Sequence, residues 1–332
     1  MTFLGQTSLQ GRVLVLAALL FNAACATDLN FLIMGDWGGS PSKPYTTRRE
    51  RSTAEGMELV AERLEAKFAM ALGDNFYFNG VTSVDDSRFK DTFEDAFSGR
   101  HLQGENFFRV LAGNHDHYGN ASAQIAYSEV SERWHFPDFF WDFVETVGDY
   151  KLHVVMIDTV ILSGGDEAKH SHLKGSELPG PKNRKLAEDY FKWIEDKLAA
   201  SDADHIIVAG HYPVYSICEH GPTDLLVDQL KPLLEKYGVS AYLAGHDHCA
   251  EVLHENGIYY HGIGSANFNA ISQAHRFSVP KHSLKWHIGV RSTGGFASAT
   301  LSADTGALKF VHYSGAGDTL YEADEITPRA KN

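Results

Sequence analysis

Five apolar blocks in this chain end the same way. Asn30–Met34, Phe68–Leu72, Phe108–Ala112, His205–Ala209 and Ala241–Ala244 are short runs of strand-forming character. Each stops at a glycine, and the next residue is of a type that ligates metals: Gly35-Asp36, Gly73-Asp74, Gly113-Asn114, Gly210-His211 and Gly245-His246. Helical spacing fills the gaps between them. Met57, Val60, Ala61 and Leu64 form one apolar stripe, and Leu186, Tyr190, Trp193, Ile194 and Leu198 a second. Leu225, Leu226, Leu230, Leu233 and Leu234 predict a third helix, with Thr223 or Asp224 as its cap and Pro232 kinking or restarting it. Strands joined by helices imply a parallel sheet with right-handed crossovers.

The C-terminal third has a different rhythm. Trp286–Val290, Phe296–Ser302 and Leu308–Tyr313 read as short strands, the last two joined by the turn Asp304-Thr305-Gly306. A second, largely antiparallel sheet is expected there. Two sheets face to face with helices outside give an α/β fold of four layers, α/β/β/α. Gly164–Pro181 is long and polar, and reads as an exposed loop near the substrate entrance.

Parallel strands deliver their C-terminal ends to one edge, where ligands collect. A glycine before each ligand-type residue would let the chain turn sharply and leave room for an ion. One such block is usually a turn or a helix cap, but five together point to a polynuclear metal site. His246 and His248, two apart, point the same way from extended backbone. Asp74 has two carboxylate oxygens and lies mid-series, so it is the candidate to bridge two ions. Tyr77, in Gly73-Asp74-Asn75-Phe76-Tyr77, decides which metal. A phenolate is a hard anionic donor that favours Fe(III) over Zn(II). Trp37 reads as packing, and Asp158 as structural or just behind the ligands. Most other histidines, among them His117 and His312, read as surface or packing residues.

Composition narrows the setting. The 332 residues carry a formal charge of −14, which disfavours nonspecific binding to nucleic acid or anionic membrane. Any anionic substrate must then be captured by local charge. Residues 1–26 read as a secretory signal, with Arg12, the apolar run Val13–Phe21 and the cleavage pattern Ala24-Cys25-Ala26. Residues 27–332 read as one catalytic domain. Cys218 and Cys249 remain after the signal. A disulfide between them suits an oxidising compartment, and two separate thiols are the alternative. Asn120-Ala121-Ser122 is an acceptor sequence for N-linked glycan.

The blocks GDWGG (35–39), GDNFY (73–77), GNHD (113–116), GHYPVYS (210–216) and GHDH (245–248) closely resemble the signature of the purple acid phosphatases, the small tartrate-resistant (type 5) branch above all. That resemblance implies a metallophosphoesterase fold and an acid phosphatase. It implies that Asp36, Asp74, Tyr77 and His248 hold Fe(III), and that Asp74, Asn114, His211 and His246 hold a divalent iron or zinc. His115 would contact the phosphate and His220 would face the leaving group. Asn120 matches the family's glycan site, and the 164–181 loop one that is cleaved in some relatives, with Lys169, Lys174 and Lys182 on offer here. The two cysteines depart from the disulfide positions of mammalian members, so the resemblance does not imply their pairing. The expected reaction is hydrolysis of small phosphate monoesters or phosphoproteins by direct attack of metal-bound hydroxide, in a secreted or lysosomal monomer with no nucleic-acid or membrane partner. Phosphodiester or nucleotide hydrolysis at the same metals, oxygen-radical chemistry at a di-iron pair, and iron carriage are the alternatives.

Overall fold

The structure, a computed structural model, describes residues 27–163, 184–289 and 294–330. The expected signal segment and the 164–181 loop lie outside the described residues.

All five runs that stop at a glycine are strands: β1 (Leu29–Met34), β2 (Phe68–Leu72), β3 (Phe108–Leu111), β7 (His205–Ala209) and β8 (Ala241–Ala244). The others are β4 (Trp134–His135), β5 (Phe140–Val147), β6 (Tyr150–Ile157), β9 (Ala250–Glu255), β10 (Ile258–Ile263), β11 (Leu284–His287), β12 (Gly295–Leu301), β13 (Leu308–Ser314) and β14 (Thr319–Glu322). They form two seven-stranded sheets, in the orders β14-β13-β12-β1-β2-β3-β4 and β11-β9-β10-β8-β7-β6-β5. Here the expectation needs correcting. The C-terminal strands build no sheet of their own. β12 pairs antiparallel with β1 and carries β13 and β14 outward, while β11 joins the other sheet beside β9. The five glycine-ended strands are therefore divided, three parallel in one sheet and two parallel in the other.

Side-chain alternation explains the layers. On β1, Phe31 and Ile33 face the space between the sheets, where they meet Val154, Met156, Ile207 and Leu243. Leu32 and Met34 face the other way, onto Met57, Val60 and Ala61 of the helix Arg48–Leu64. The second sheet packs its outer face on Ile194 and Leu198 of the helix Arg184–Ala200 and on Leu226, Leu230 and Leu234. Three apolar layers separated by two sheets give the four-layer α/β/β/α arrangement. The third predicted helix is split: a wide turn covers Leu226–Leu230, and the α-helix restarts at Lys231 with Pro232 in its first turn, where a missing N–H costs nothing. Trp37 is fully buried among Phe76, Phe93, Phe97 and Trp134. Among the described residues no helix is long and apolar enough to cross a membrane.

One polar pair lies deep in this packing. His261 on β10 and His312 on β13 meet through Nδ1 and Nε2 at 3.0 Å, and their other ring nitrogens have no partner among the described residues. Burial pushes the His312 ring down to about 3, and burial with the neighbouring His312 puts His261 well below its ordinary range. The unfolded chain takes up a proton at His312 below about pH 6.5, and the folded chain does not until about pH 3. Stability therefore falls as pH drops through that window, by about 2–3 kcal/mol at pH 4.5 from this ring alone. His312→Leu should reduce the loss of unfolding free energy between pH 7 and pH 4.5 by that amount in urea titrations. An unchanged difference between the two pH values would refute the assignment.

Candidate metal centre

The strand ends converge because each turn after a strand is held by another. The Asp36 N–H donates to the Gly73 carbonyl (3.1 Å), Gly38 to Asp74 (3.1 Å), and Gly245 to His211 (3.0 Å). The glycines matter mainly for space. A Cβ on Gly113 would lie 2.3 Å from Asp74 Oδ1, and one on Gly245 would lie 2.5 Å from Asp36 Oδ2. What fills the room is therefore the neighbouring motif. The sharp turn falls largely on the ligand-type residues themselves: Asp36, Asp74 and His246 sit at φ of +57°, +51° and +68°. The left-handed region costs an L-residue roughly 1–2 kcal/mol, and such strain gathers at functional sites.

Two groups of donor atoms meet on Asp74. In one, the Tyr77 hydroxyl lies 2.9 Å from Asp36 Oδ1 and 3.1 Å from His248 Nε2. One ligand atom each from Asp36, Asp74 and His248 falls within 4.8 Å of the others. In the second, Asn114 Oδ1 lies 3.0 Å from His211 Nε2 and 3.1 Å from His246 Nδ1, and Asp74 Oδ1 is 3.3 Å from the same His211 nitrogen. His211 Nδ1 donates to the Leu72 carbonyl at 2.8 Å, so in the neutral ring Nε2 presents a lone pair. Lone pairs of an amide, an imidazole and a carboxylate thus face one another in a buried space. That contact repels unless a cation stands between them.

The titration behaviour without a cation says the same. Burial, aided by Asp74, raises Asp36 well above the carboxylate range although His211 opposes it. Burial disfavours a charged His211, yet Asp74 and Asp36 hold its pKa up at about 9. Asp74 is lowered, burial being outweighed by His211 and His115. Burial pushes His248 down to about 3, and burial with His220 and His211 holds His246 well below its ordinary range. Burial and the two carboxylates raise the Tyr77 phenol. A carboxylate held protonated at Asp36, a charged His211 and two imidazoles held neutral at His246 and His248 are what a bound cation would relieve. Asp36, Asp74, Tyr77, Asn114, His211, His246 and His248 could hold two such ions, with Asp74 shared.

His115 and His220 border the cluster. His115 donates through Nδ1 to the Phe78 carbonyl (2.6 Å), which leaves Nε2 on the cluster side, 3.9 Å from Asp74 Oδ2. The His220 ring stacks on His246 with centroids 4.3 Å apart. Cys218 and Cys249 are joined by a disulfide that ties the His220 loop to the segment carrying His248. Asn120 is exposed and caps the helix Ala121–Ala126.

Sequence reasoning missed the supports. Asp116 is fully buried and accepts the backbone N–H groups of Asn75 (3.1 Å), Phe76 (3.2 Å) and Gly113 (2.8 Å). Thr159 Oγ1 accepts from the His211 and Tyr212 amides. Asp247 accepts from the His220 and Gly221 amides (2.8 and 3.2 Å). Arg88 donates to the Gly38 and Tyr77 carbonyls. Asp158, read as structural, pairs with the buried ring of His117 at 2.7 Å. Asp116 and Asp247 stand inside the quoted blocks, so proximity was an available signal.

The family model for calcineurin-like phosphoesterases matches residues 29–250. Human tartrate-resistant acid phosphatase type 5 is 43% identical over 310 residues, covering 91% of this chain and 94% of that protein. Purple acid phosphatase 17 of Arabidopsis thaliana is 30% identical over 228 residues, 68% of this chain and 63% of the plant protein. Among solved structures, GAP50, described as the anchor in the inner membrane complex of Plasmodium, superposes with a TM-score of 0.73 at 22% identity, over 92% of this chain and 90% of that one. That last likeness speaks for the fold alone.

Asp116→Ala would orphan three buried amide donors. It should cost about 3 kcal/mol or more, read as a lowered urea midpoint. A cost below about 1 kcal/mol would show that the turns do not depend on this carboxylate.

Proposed function

The chain belongs to the calcineurin-like phosphoesterase family and is an acid phosphatase of the tartrate-resistant, purple type, and from that premise we propose a specific assignment of its metals and catalytic groups. The family carries a dinuclear metal centre and acts on phosphate esters. In this reading Asp36, Asp74, Tyr77 and His248 hold Fe(III), and Asp74, Asn114, His211 and His246 hold Fe(II) or Zn(II). The observation that carries it is the buried convergence of lone pairs on both sides of Asp74. Tyr77 supports the ferric half. Its surroundings raise the phenol's pKa, so only a strongly Lewis-acidic ion would hold it as phenolate.

When bound, the two ions supply Lewis acidity toward the phosphoryl group and an acidified water as the attacking group. The chain's own residues do the rest. His115 is oriented by the Phe78 carbonyl, and in its doubly protonated form it aims an Nε2–H that an equatorial phosphoryl oxygen can accept. His220 gives a proton or hydrogen bond to the departing oxygen, with its backbone fixed by Asp247. Displacement is direct, with no phosphoenzyme. Small phosphate monoesters or phosphoproteins are the substrates. Residues 1–26 would direct the remainder, a single catalytic domain, to secretion or the lysosome as a monomer, with glycan on the exposed Asn120.

Metal analysis, a visible spectrum and an acid phosphatase assay test the reading together. The purified protein should contain iron, show a visible phenolate-to-iron band and hydrolyse p-nitrophenyl phosphate in acid. Tyr77→Phe should lose the band, and its persistence would remove Tyr77 from the ligand set. His220→Ala should slow hydrolysis of alkyl phosphates by about 10²-fold and of p-nitrophenyl phosphate far less, because a good leaving group needs little proton help. Equal losses on both substrates would count against His220 as the acid.

A further inference from the structure

We propose that a cavity beside the metal centre receives the leaving group, and that Arg48 and Arg49 within it select phosphate monoesters bearing a second anionic group. The inference rests on the reading above, since it takes the phosphoryl group to sit at the cluster.

The cavity holds about 660 Å³, a volume suited to a small organic group. Phe78 and Phe268 line it, and both also border the cluster. The Phe268 ring lies parallel to His248 with centroids 3.9 Å apart and meets Tyr77 edge-on at 4.9 Å. Phe78 packs on Tyr77 and His115, and it is 43% exposed. An ester with its phosphorus at the cluster would direct its organic part past these two rings. Flat apolar groups fit between such walls.

Beyond the rings the lining changes character. Arg48 and Arg49 line the cavity and no carboxylate does. Arg48 and Arg49 are exposed, whereas the buried or half-buried arginines among the described residues are spoken for: Arg88 by two carbonyls, Arg109 by Glu145, Arg133 by Glu94, and Arg329 by the Ala203 and Ser201 carbonyls. Among the described residues neither the Arg48 nor the Arg49 side chain makes a hydrogen bond or an ion pair. In a chain of net charge −14, two adjacent unpaired guanidinium groups beside a phosphoester site form a local positive field. A guanidinium binds carboxylate or phosphate oxygens through paired N–H donors.

The turn bearing them is also fixed relative to the cluster. Thr47 caps the helix through the Glu50 amide and bonds to Asn267 Oδ1, and the Asn267 N–H donates to the Asp36 carbonyl at 3.1 Å. The backbone that carries the arginines is thus tied to Asp36. The site suits an aryl or similarly flat leaving group that ends in a carboxylate or a second phosphate.

Phenyl phosphate, 4-carboxyphenyl phosphate and 1,4-phenylene bisphosphate are the probes. Wild-type protein should favour either dianionic ester over phenyl phosphate by about fivefold in kcat/KM at low salt, the scale of two solvent-facing ion pairs, and the preference should shrink as salt rises. The carboxylate and bisphosphate arms separate the two sources of charge. Arg48→Ser/Arg49→Ser should bring the ratio to about one, and the Lys/Lys pair should restore part of it. A ratio unchanged in the Ser variant overturns the proposal. Calorimetric binding of 4-carboxyphenylphosphonate against phenylphosphonate gives the same comparison without turnover. If no ester is hydrolysed, the proposed function fails, and the phosphonate pair still judges the arginines.

Discussion

The structure is organised around a repulsion. Carboxylates, an amide oxygen, a phenol and three imidazoles are packed together out of water, with too few hydrogens to satisfy their lone pairs. An unpaired polar group in such a place costs about 1–3 kcal/mol, and a charged one more. Without a cation the protein answers with displaced pKa values, a protonated His211 beside Asp74 being the clearest. With cations of sufficient charge the same atoms become ligands. The supports follow from this. Asp116, Thr159, Arg88 and Asp247 bond to backbone and to neighbouring side chains, so each turn is fixed without using up a donor of the cluster.

What could be read from the sequence divides along physical lines. The ends of the glycine-stopped strands were legible because apolar runs, glycine and a ligand-type residue are all local signals. Which strands pair was not. β1 lies between β2 on one edge and β12 on the other, and nothing within Leu29–Met34 says that a strand some 270 residues later completes it. A C-terminal antiparallel sheet was the economical inference. The fold instead uses those strands to extend the first sheet, so the cluster is built where two sheets meet and not along one edge. The role of the glycines was half legible. Space was correctly inferred, but its occupant was not, because the approach of Asp74 to Gly113 is a tertiary fact.

The division of charge follows from the same arrangement. The acidic surface gives anionic substrates no general attraction, so selectivity has to be local. The cluster recognises the phosphoryl group by dense, buried donors. The cavity beside it offers the rest of the molecule two rings and two exposed guanidinium groups. These parts tolerate change differently. Moving Asp36 or Asp74 disturbs every turn they touch, whereas the exposed Arg48 and Arg49 side chains have no hydrogen-bond or ion-pair partner among the described residues. Substrate preference can therefore vary at the cavity without disturbing the chemistry at the cluster.

Work in acid raises a second problem, which the fold meets away from the cluster. His261 and His312 occupy the layer between the sheets as neutral rings, and each proton that the unfolded chain gains below pH 6.5 pulls against folding. Resistance must come from terms that do not titrate. The apolar layer itself is one. The Cys218–Cys249 link is another: it closes a loop of sequence separation 31 and contributes about 3–4 kcal/mol by restricting the unfolded chain, at any pH where it stays oxidised. The same link secures the His220 loop against the strand end that presents His246 and His248. A constraint on the unfolded chain thus also holds the catalytic geometry, and a substitution there would weaken both functions in acid before it weakened either at neutral pH.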